Sequence, residues 1–296
     1  MNVTLFRSWK HLAAVVLVAG ALAVPSPAAA AAPAVYSTLI NGDDTDVYYP
    51  ASGTRLPVAL LLQGANVDKA HYSSFARRLA SYGFVVAVPN HTRSLFGVSG
   101  LYPEGAQASW TVDWASAEDD DPASPLYRRV DENTLVVAGH SFGAATALSL
   151  SAGLCVIPFC AIADVAPDEL SAVVTYGGNN VLYGTDLVLP VLNTVPVGYL
   201  QGTADGVATP AEGQTTYNLT AGTPKAFISV TGANHYGVTN GQNPAGALPD
   251  ASAQTLDQAV GVETIARWSA RWLLAQTSGR GFYPAPDPNV TVTYVN

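Results

Sequence analysis

The chain reads as an α/β protein whose central sheet is mostly parallel and flanked by helices, in one domain, and three observations predict it. Nearly continuous apolar, β-branched runs recur along the sequence, as strands covered on both faces require. Helix-compatible segments separate them, the alternation that builds parallel sheets. No internal repeat or interdomain linker interrupts the pattern across residues 31–296.

The elements follow in order. Pro57–Leu62 (PVALLL) and Phe84–Val88 (FVVAV) read as buried strands around a helix at Tyr72–Ser81. Residues 95–129 form the long excursion, expected to be a short helix pair or a lid over the sheet's upper edge. Thr134–Ala138 (TLVVA) is the next strand, followed by an Ala-rich helix at Ala144–Ala152. Ala172–Thr175 (AVVT), Val197–Leu200 (VGYL) and Ala226–Val230 (AFISV) continue the sheet, with a helix at Thr209–Leu219 between the last two. A closing helix spans Ser252–Gln276, where Trp268 and Trp272 stand at i, i+4 on one buried stripe. The tail from Ser278 to Asn296 carries Pro and Gly and reads as irregular surface cover.

Composition bounds the function. The 296 residues are 49% hydrophobic and only 12% charged, with a formal net charge of −9. An average soluble domain is about 25% charged, so long solvated helices and charged arms are excluded. The negative balance argues against nucleic acid or anionic lipid as a partner. Part of the apolar content belongs to a leader. Arg7, Lys10 and His11 precede an apolar run from Leu12 to Val24, then Ala28–Ala30, the pattern of a secretory signal peptide over residues 1–30. That run is shorter than the roughly 20 apolar residues a bilayer span needs, so no stable membrane anchor is expected. Losing Arg7 and Lys10 leaves 11 basic against 22 acidic residues, a mature charge of −11, and the mature protein is expected to be secreted.

Export puts the two cysteines in an oxidising compartment. Cys155 and Cys160 flank Val-Ile-Pro-Phe, a spacing that suits a loop-closing disulfide, with two buried thiols as the alternative. No metal site is expected, because two cysteines without a nearby His cannot complete a tetrahedral shell. The acidic run Glu118–Asp121 reads as a solvated loop, with calcium binding the alternative. No cofactor is expected.

The chemistry centres on Gly139-His140-Ser141-Phe142-Gly143, directly after the strand TLVVA and before the Ala-rich helix. Strand, GxSxG and helix together form the setting of a nucleophile elbow, in which Ser141 projects above the sheet. A serine needs a base and an orienting acid, and here they should follow in the order acid, then His. Asp205 lies just beyond VGYL and His235 just beyond AFISV, at C-terminal strand ends where open α/β sheets bind ligands. The rivals are His91 as base and Asp186 as acid; His140 is structural, and Asp257 and Glu263 belong to the closing helix. Oxyanion donors are expected from the Phe142 N–H, at a helix N-terminus, and the Ala65 N–H in Gln63-Gly64-Ala65-Asn66. Tyr176, Tyr183 and Phe96, with Leu182 and Tyr102, are candidates for an apolar substrate wall or for packing at the sheet's edge.

The elbow, the order of the three side chains and the strand pattern resemble the α/β-hydrolase superfamily. Gly139–Thr146 (GHSFGAAT) with Leu79–Val86 (LASYGFVV) is similar to the group of platelet-activating-factor acetylhydrolases, chlorophyllases, dienelactone-hydrolase-like proteins and cutinase-type polyester hydrolases. The resemblance covers roughly residues 56–275 and implies the α/β-hydrolase fold and a metal-independent serine esterase. Ser141, Asp205 and His235 take the matching triad positions. Polyester hydrolases carry an aromatic residue where this chain has Ala65, and chlorophyllases an Arg where it has Phe142. The expected activity is hydrolysis of small-molecule or polymeric esters, neutral or apolar. A peptidase or amidase on the same fold, or a non-catalytic binding protein, is the alternative.

Overall fold

The computed structural model describes residues 31–296 apart from 157, 161–165 and 183. The leader expected over residues 1–30, and Tyr183, lie outside the described residues. In chain order the elements are β1 (Ala34–Ile40), β2 (Asp43–Tyr49), β3 (Leu56–Leu62), α1 (Ser73–Ser81), β4 (Val85–Asn90), β5 (Thr92–Leu95), β6 (Val98–Leu101) and α2 (Gln107–Asp120). They continue with β7 (Val130–His140), α3 (Phe142–Ser151), β8 (Leu170–Tyr176), β9 (Val197–Gly202), α4 (Pro210–Asn218), β10 (Lys225–Val230), α5 (Gln258–Thr277) and β11 (Val290–Val295). One sheet has the order β1-β2-β4-β3-β7-β8-β9-β10-β11, and β5 pairs only with β6. From β4 to β10 every pairing is parallel, whereas β1, β2 and β11 run antiparallel to their neighbours. This is the mostly parallel α/β sheet expected from the apolar runs.

Those runs are continuous because both faces of the sheet are covered. On β3, Ala59 and Leu61 join the core under α1 and α5, while Val58, Leu60 and Leu62 join the core under α2 and α3. α1 buries Phe75, Ala76, Leu79 and Ala80, the stripe a 3.6-residue period puts on one face. Trp268 and Trp272 of α5 are fully buried. The Trp272 indole donates to the Val173 carbonyl at 2.9 Å. Gly198 of β9 makes room for that ring, since a Cβ there would stand 2.7 Å from it. α4 starts at a capping box in which Thr209 and Glu212 satisfy each other's backbone N–H.

The sequence-based map needs three corrections. β1 and β2 form an antiparallel hairpin at one edge; β2, Asp-Asp-Thr-Asp-Val-Tyr-Tyr, begins too polar to read as a core strand. The tail is irregular only to Asn289: β11 (VTVTYV) alternates with period two and pairs with β10 as the other edge. Asp287 ties the intervening loop to α5, accepting from the Trp268 indole at 2.8 Å and pairing with Arg267. Residues 95–129 hold one helix rather than a helix pair. They contain the end of the β5–β6 hairpin and one helix, α2, which buries Ala108, Trp114 and Ala115 against the sheet. The hairpin turns at Phe96-Gly97, both with positive φ (51° and 85°), the pattern of a tight type I′ turn. Cys155 and Cys160 are disulfide-bonded, with Cα atoms 5.4 Å apart. No helix among the described residues is long and apolar enough to cross a membrane.

Candidate active site

The loops that follow β3, β7, β8, β9 and β10 leave the sheet at one rim, because parallel strands share a direction. β7 delivers His140 and Ser141 there, and α3 begins at Phe142. Ser141 has φ 54° and ψ −117°, a conformation costing an L-residue about 1–2 kcal/mol. Its neighbours hold it: the Ser141 N–H donates to the Tyr176 carbonyl at 3.1 Å, and its own carbonyl accepts from Ala144 and Ala145 at 2.9 and 3.2 Å. The flanking glycines answer a different need, close approach. A Cβ on Gly143 would lie 2.1 Å from the Leu62 carbonyl oxygen, and one on Gly139 2.3 Å from that of Gly143.

The three distant side chains singled out in the sequence meet here. Ser141 Oγ lies 2.8 Å from His235 Nε2. His235 Nδ1 lies 3.0 and 2.9 Å from the two oxygens of Asp205. The His235 and Asp205 side chains are 2% and 0% exposed, whereas Ser141 is half-buried and reachable. Every other partner of Asp205 is a donor, as suits a carboxylate: Oδ1 accepts from the Val207 and Ala208 N–H at 2.9 and 2.8 Å, and Oδ2 from Gln201 Nε2 at 3.2 Å. Gly177 passes close by, where a Cβ would stand 2.8 Å from Asp205 Oδ2. A hydroxyl, an imidazole and a carboxylate linked this way can move one proton from Oγ to Nε2 while the carboxylate fixes the ring.

The rival residues are occupied elsewhere. His91 Nδ1 meets Asp43 at 2.9 Å and Nε2 faces Glu104 at 3.2 Å. Asp186 is exposed on the loop after β8. Asp257 caps α5, and Glu263 pairs with Arg78 and Arg267. In the acidic run, Glu118 accepts from Tyr36, Trp114 and Ser124, and Asp119 accepts the Val130 N–H.

Gly64 sits against the elbow; a Cβ there would lie 2.9 Å from His140 Nδ1 and 3.3 Å from Ser141 Cβ. Neither the next N–H, on Ala65, nor that of Phe142 in the first turn of α3 has an intramolecular acceptor among the described residues. Asn66 fastens this loop to the β5–β6 hairpin: its N–H donates to the Leu101 carbonyl at 2.8 Å, and its Oδ1 accepts the Leu101 N–H at 3.0 Å.

The substrate-wall residues fare differently. Tyr176 is 3% exposed and its hydroxyl donates to the Asn234 carbonyl, so it holds the loop of His235 from within the core rather than lining a cleft. Burial, with Asp205 and Asp250 nearby, pushes its phenol well above the ordinary range and keeps it neutral. Phe96 stands at the hairpin tip, 86% exposed. Leu182 is exposed on the loop after β8. Tyr102 packs on Phe142 (ring centroids 5.8 Å), and Phe159 of the disulfide loop packs on its other flank at 5.0 Å.

Two contributors had no legible signal. Phe159 is one. Asp250 is the other: its Oδ2 accepts from the His235 and Gly206 N–H at 2.9 and 3.2 Å, and its Oδ1 from Ser252 at 2.8 Å. It thereby ties the loop of Asp205 to the loop of His235.

Residues 42–178 match the family model described as Chlorophyllase, which lies within the α/β-hydrolase superfamily. No curated protein gives a significant match. The family match points to an esterase-type hydrolase.

Proposed function

We propose, from the match of residues 42–178 to a family model within the α/β-hydrolase superfamily, that the chain is a serine carboxylic-ester hydrolase acting on neutral or apolar esters. The observation that carries this reading is the hydrogen-bonded series from Ser141 Oγ through His235 to Asp205, at 2.8 Å and then 2.9–3.0 Å. In the mechanism, His235 Nε2 takes the hydroxyl proton as Oγ bonds to the ester carbonyl carbon. The carbonyl π pair moves onto oxygen, where the Ala65 and Phe142 N–H groups receive the charge. One well-aimed donor of this kind lowers such a barrier by about 3–4 kcal/mol. Collapse breaks the ester C–O bond, and His235 gives its proton to the departing alcohol. Water, deprotonated by His235, then cleaves the acyl-enzyme and releases the acid and Ser141. Asp205 keeps Nδ1 protonated and stabilises the imidazolium throughout.

The half-buried rings of Tyr102, Phe142 and Phe159 favour an apolar substrate, as does a net charge that repels polyanions. The leader-like first 30 residues and the Cys155–Cys160 bond are consistent with export. The test is hydrolysis of short-chain p-nitrophenyl esters with fluorophosphonate labelling of the same preparation. Ser141→Ala should abolish labelling and lower kcat by about 10³-fold or more; retained hydrolysis overturns the reading. A panel of triglyceride, phospholipid, chlorophyll and polyester film then ranks the substrates.

A further inference from the structure

We propose that His140 is a positioning residue that couples the oxyanion loop to the loop of the base, through one directed series of hydrogen bonds running from Gly64 by way of Tyr72 to the carbonyl of His235. The inference rests on the assignment of Ser141, His235 and Ala65 given above and adds a residue that touches none of the reacting atoms.

The direction follows from counting protons. The Gly64 N–H can only donate, and its acceptor is the Tyr72 hydroxyl oxygen at 2.8 Å. The phenolic proton then goes to the ring nitrogen facing it, His140 Nδ1, also at 2.8 Å. A nitrogen that accepts there leaves the imidazole proton on Nε2, and Nε2 faces the His235 carbonyl oxygen at 2.9 Å. Tyr72, His140 and His235 are each at most 1% exposed, so no bulk water competes for these links. The ring is enclosed by Tyr72, Tyr176, Tyr236 and His235, with centroids 4.9–6.0 Å away. Burial first, and the neighbouring His235 second, push the His140 pKa well down, which keeps the ring in the neutral form this direction requires.

The consequence for the site is geometric. The backbone of His235 is held at its N–H by Asp250 and at its carbonyl by His140, while Asp205 holds the ring. Removing the His140 link lets the base pivot. The same substitution takes away the acceptor that orients the Tyr72 hydroxyl, and so loosens its hold on Gly64 and the neighbouring Ala65 N–H. One side chain therefore sets both the proton acceptor and one oxyanion donor relative to Ser141, its neighbour in the chain. Misplacement by about 1 Å typically costs on the order of 10²-fold in rate.

The experiment is single-turnover titration of Ser141 with a fluorophosphonate, followed by kcat per titrated site, KM and boronic-acid affinity. His140→Leu removes the links to Tyr72 and to His235, Tyr72→Phe those to Gly64 and to His140, and His140→Gln retains a donor toward His235. We expect kcat per site to fall roughly 30-fold in His140→Leu and less in the other two, with KM nearly unchanged and boronate affinity falling in step. A purely structural role would lower the number of titratable sites and leave kcat per site alone. If His140→Leu does not fold, Tyr72→Phe decides the matter on the same readouts. An unaltered kcat per site with Ser141→Ala inactive overturns the coupling alone; activity retained by Ser141→Ala overturns it together with the esterase assignment.

Discussion

The rim of the sheet has two halves built on opposite principles. On the side of the base, Asp205, His235, Asp250, Tyr176 and His140 are all at most 5% exposed, and each makes hydrogen bonds that fix its neighbour. On the side of the hairpin, Phe96 and Val98 are 86% and 60% exposed, and attachment to the site runs through Asn66 at the hairpin's root. The first half behaves as a rigid frame, since each buried polar atom left unpaired there costs about 1–3 kcal/mol. The second half presents apolar surface that can adapt. Under the proposed function, chemistry needs a fixed geometry and recognition of an ester needs it less, so the contrast would separate the two tasks within one rim.

The comparison breaks most severely at Asp250. Asp250→Ala strands the buried N–H of His235 and takes the acceptor from the more accessible Gly206 and Ser252 N–H groups, so it should destabilise the fold by about 2 kcal/mol. The loss is read in urea melts, with a lower kcat in the protein that remains folded. A smaller effect comes from pH. His140 is neutral in the fold with its pKa driven down, whereas the unfolded chain takes up the proton near pH 6.5. Stability from this group is therefore complete above about pH 6.5 and declines as the pH falls below it. Urea midpoints should be flat from neutral to mildly alkaline pH and drop on the acid side, and His140→Gln should show a shallower drop. The least effect belongs to the other half: Phe96→Ser with Val98→Ser should change kcat on a soluble short-chain ester by less than about twofold and leave Tm in place. A large loss there would mean that the hairpin belongs to the rigid frame.

How much of this was legible depends on what decides each position. The strands from β3 to β10 in the sheet were readable because burial on both faces makes them continuously apolar. Ser141, Asp205 and His235 were readable because a nucleophile elbow and the loops after later strands are local patterns in a known order. β1 and β2 were not, since a hairpin at an edge tolerates Asp43, Asp44 and Asp46. β11 carried a period-two pattern that its Pro-rich approach masked. For Tyr176 the sequence leaves a substrate wall and packing at the sheet's edge open, because position at a strand's end says nothing of side-chain direction; the fold turns it inward to Asn234. Asp250, Tyr72 and the partners of His140 could not be read, since no local motif marks them and only the folded chain brings their hydrogen-bonding groups together. Gln63 is the residue with no account: it is fully buried, yet neither amide atom has a hydrogen-bond partner among the described residues.

The strand order has a consequence for how the molecule comes apart. β7, which leads directly into the strained Ser141, has four strands on either side of it. Fraying that starts at β1 or β11 must peel away four hydrogen-bonded neighbours before it reaches the elbow, and openings of that size approach global unfolding. The conformational strain at Ser141 thus sits next to the part of the sheet expected to exchange its amide protons last.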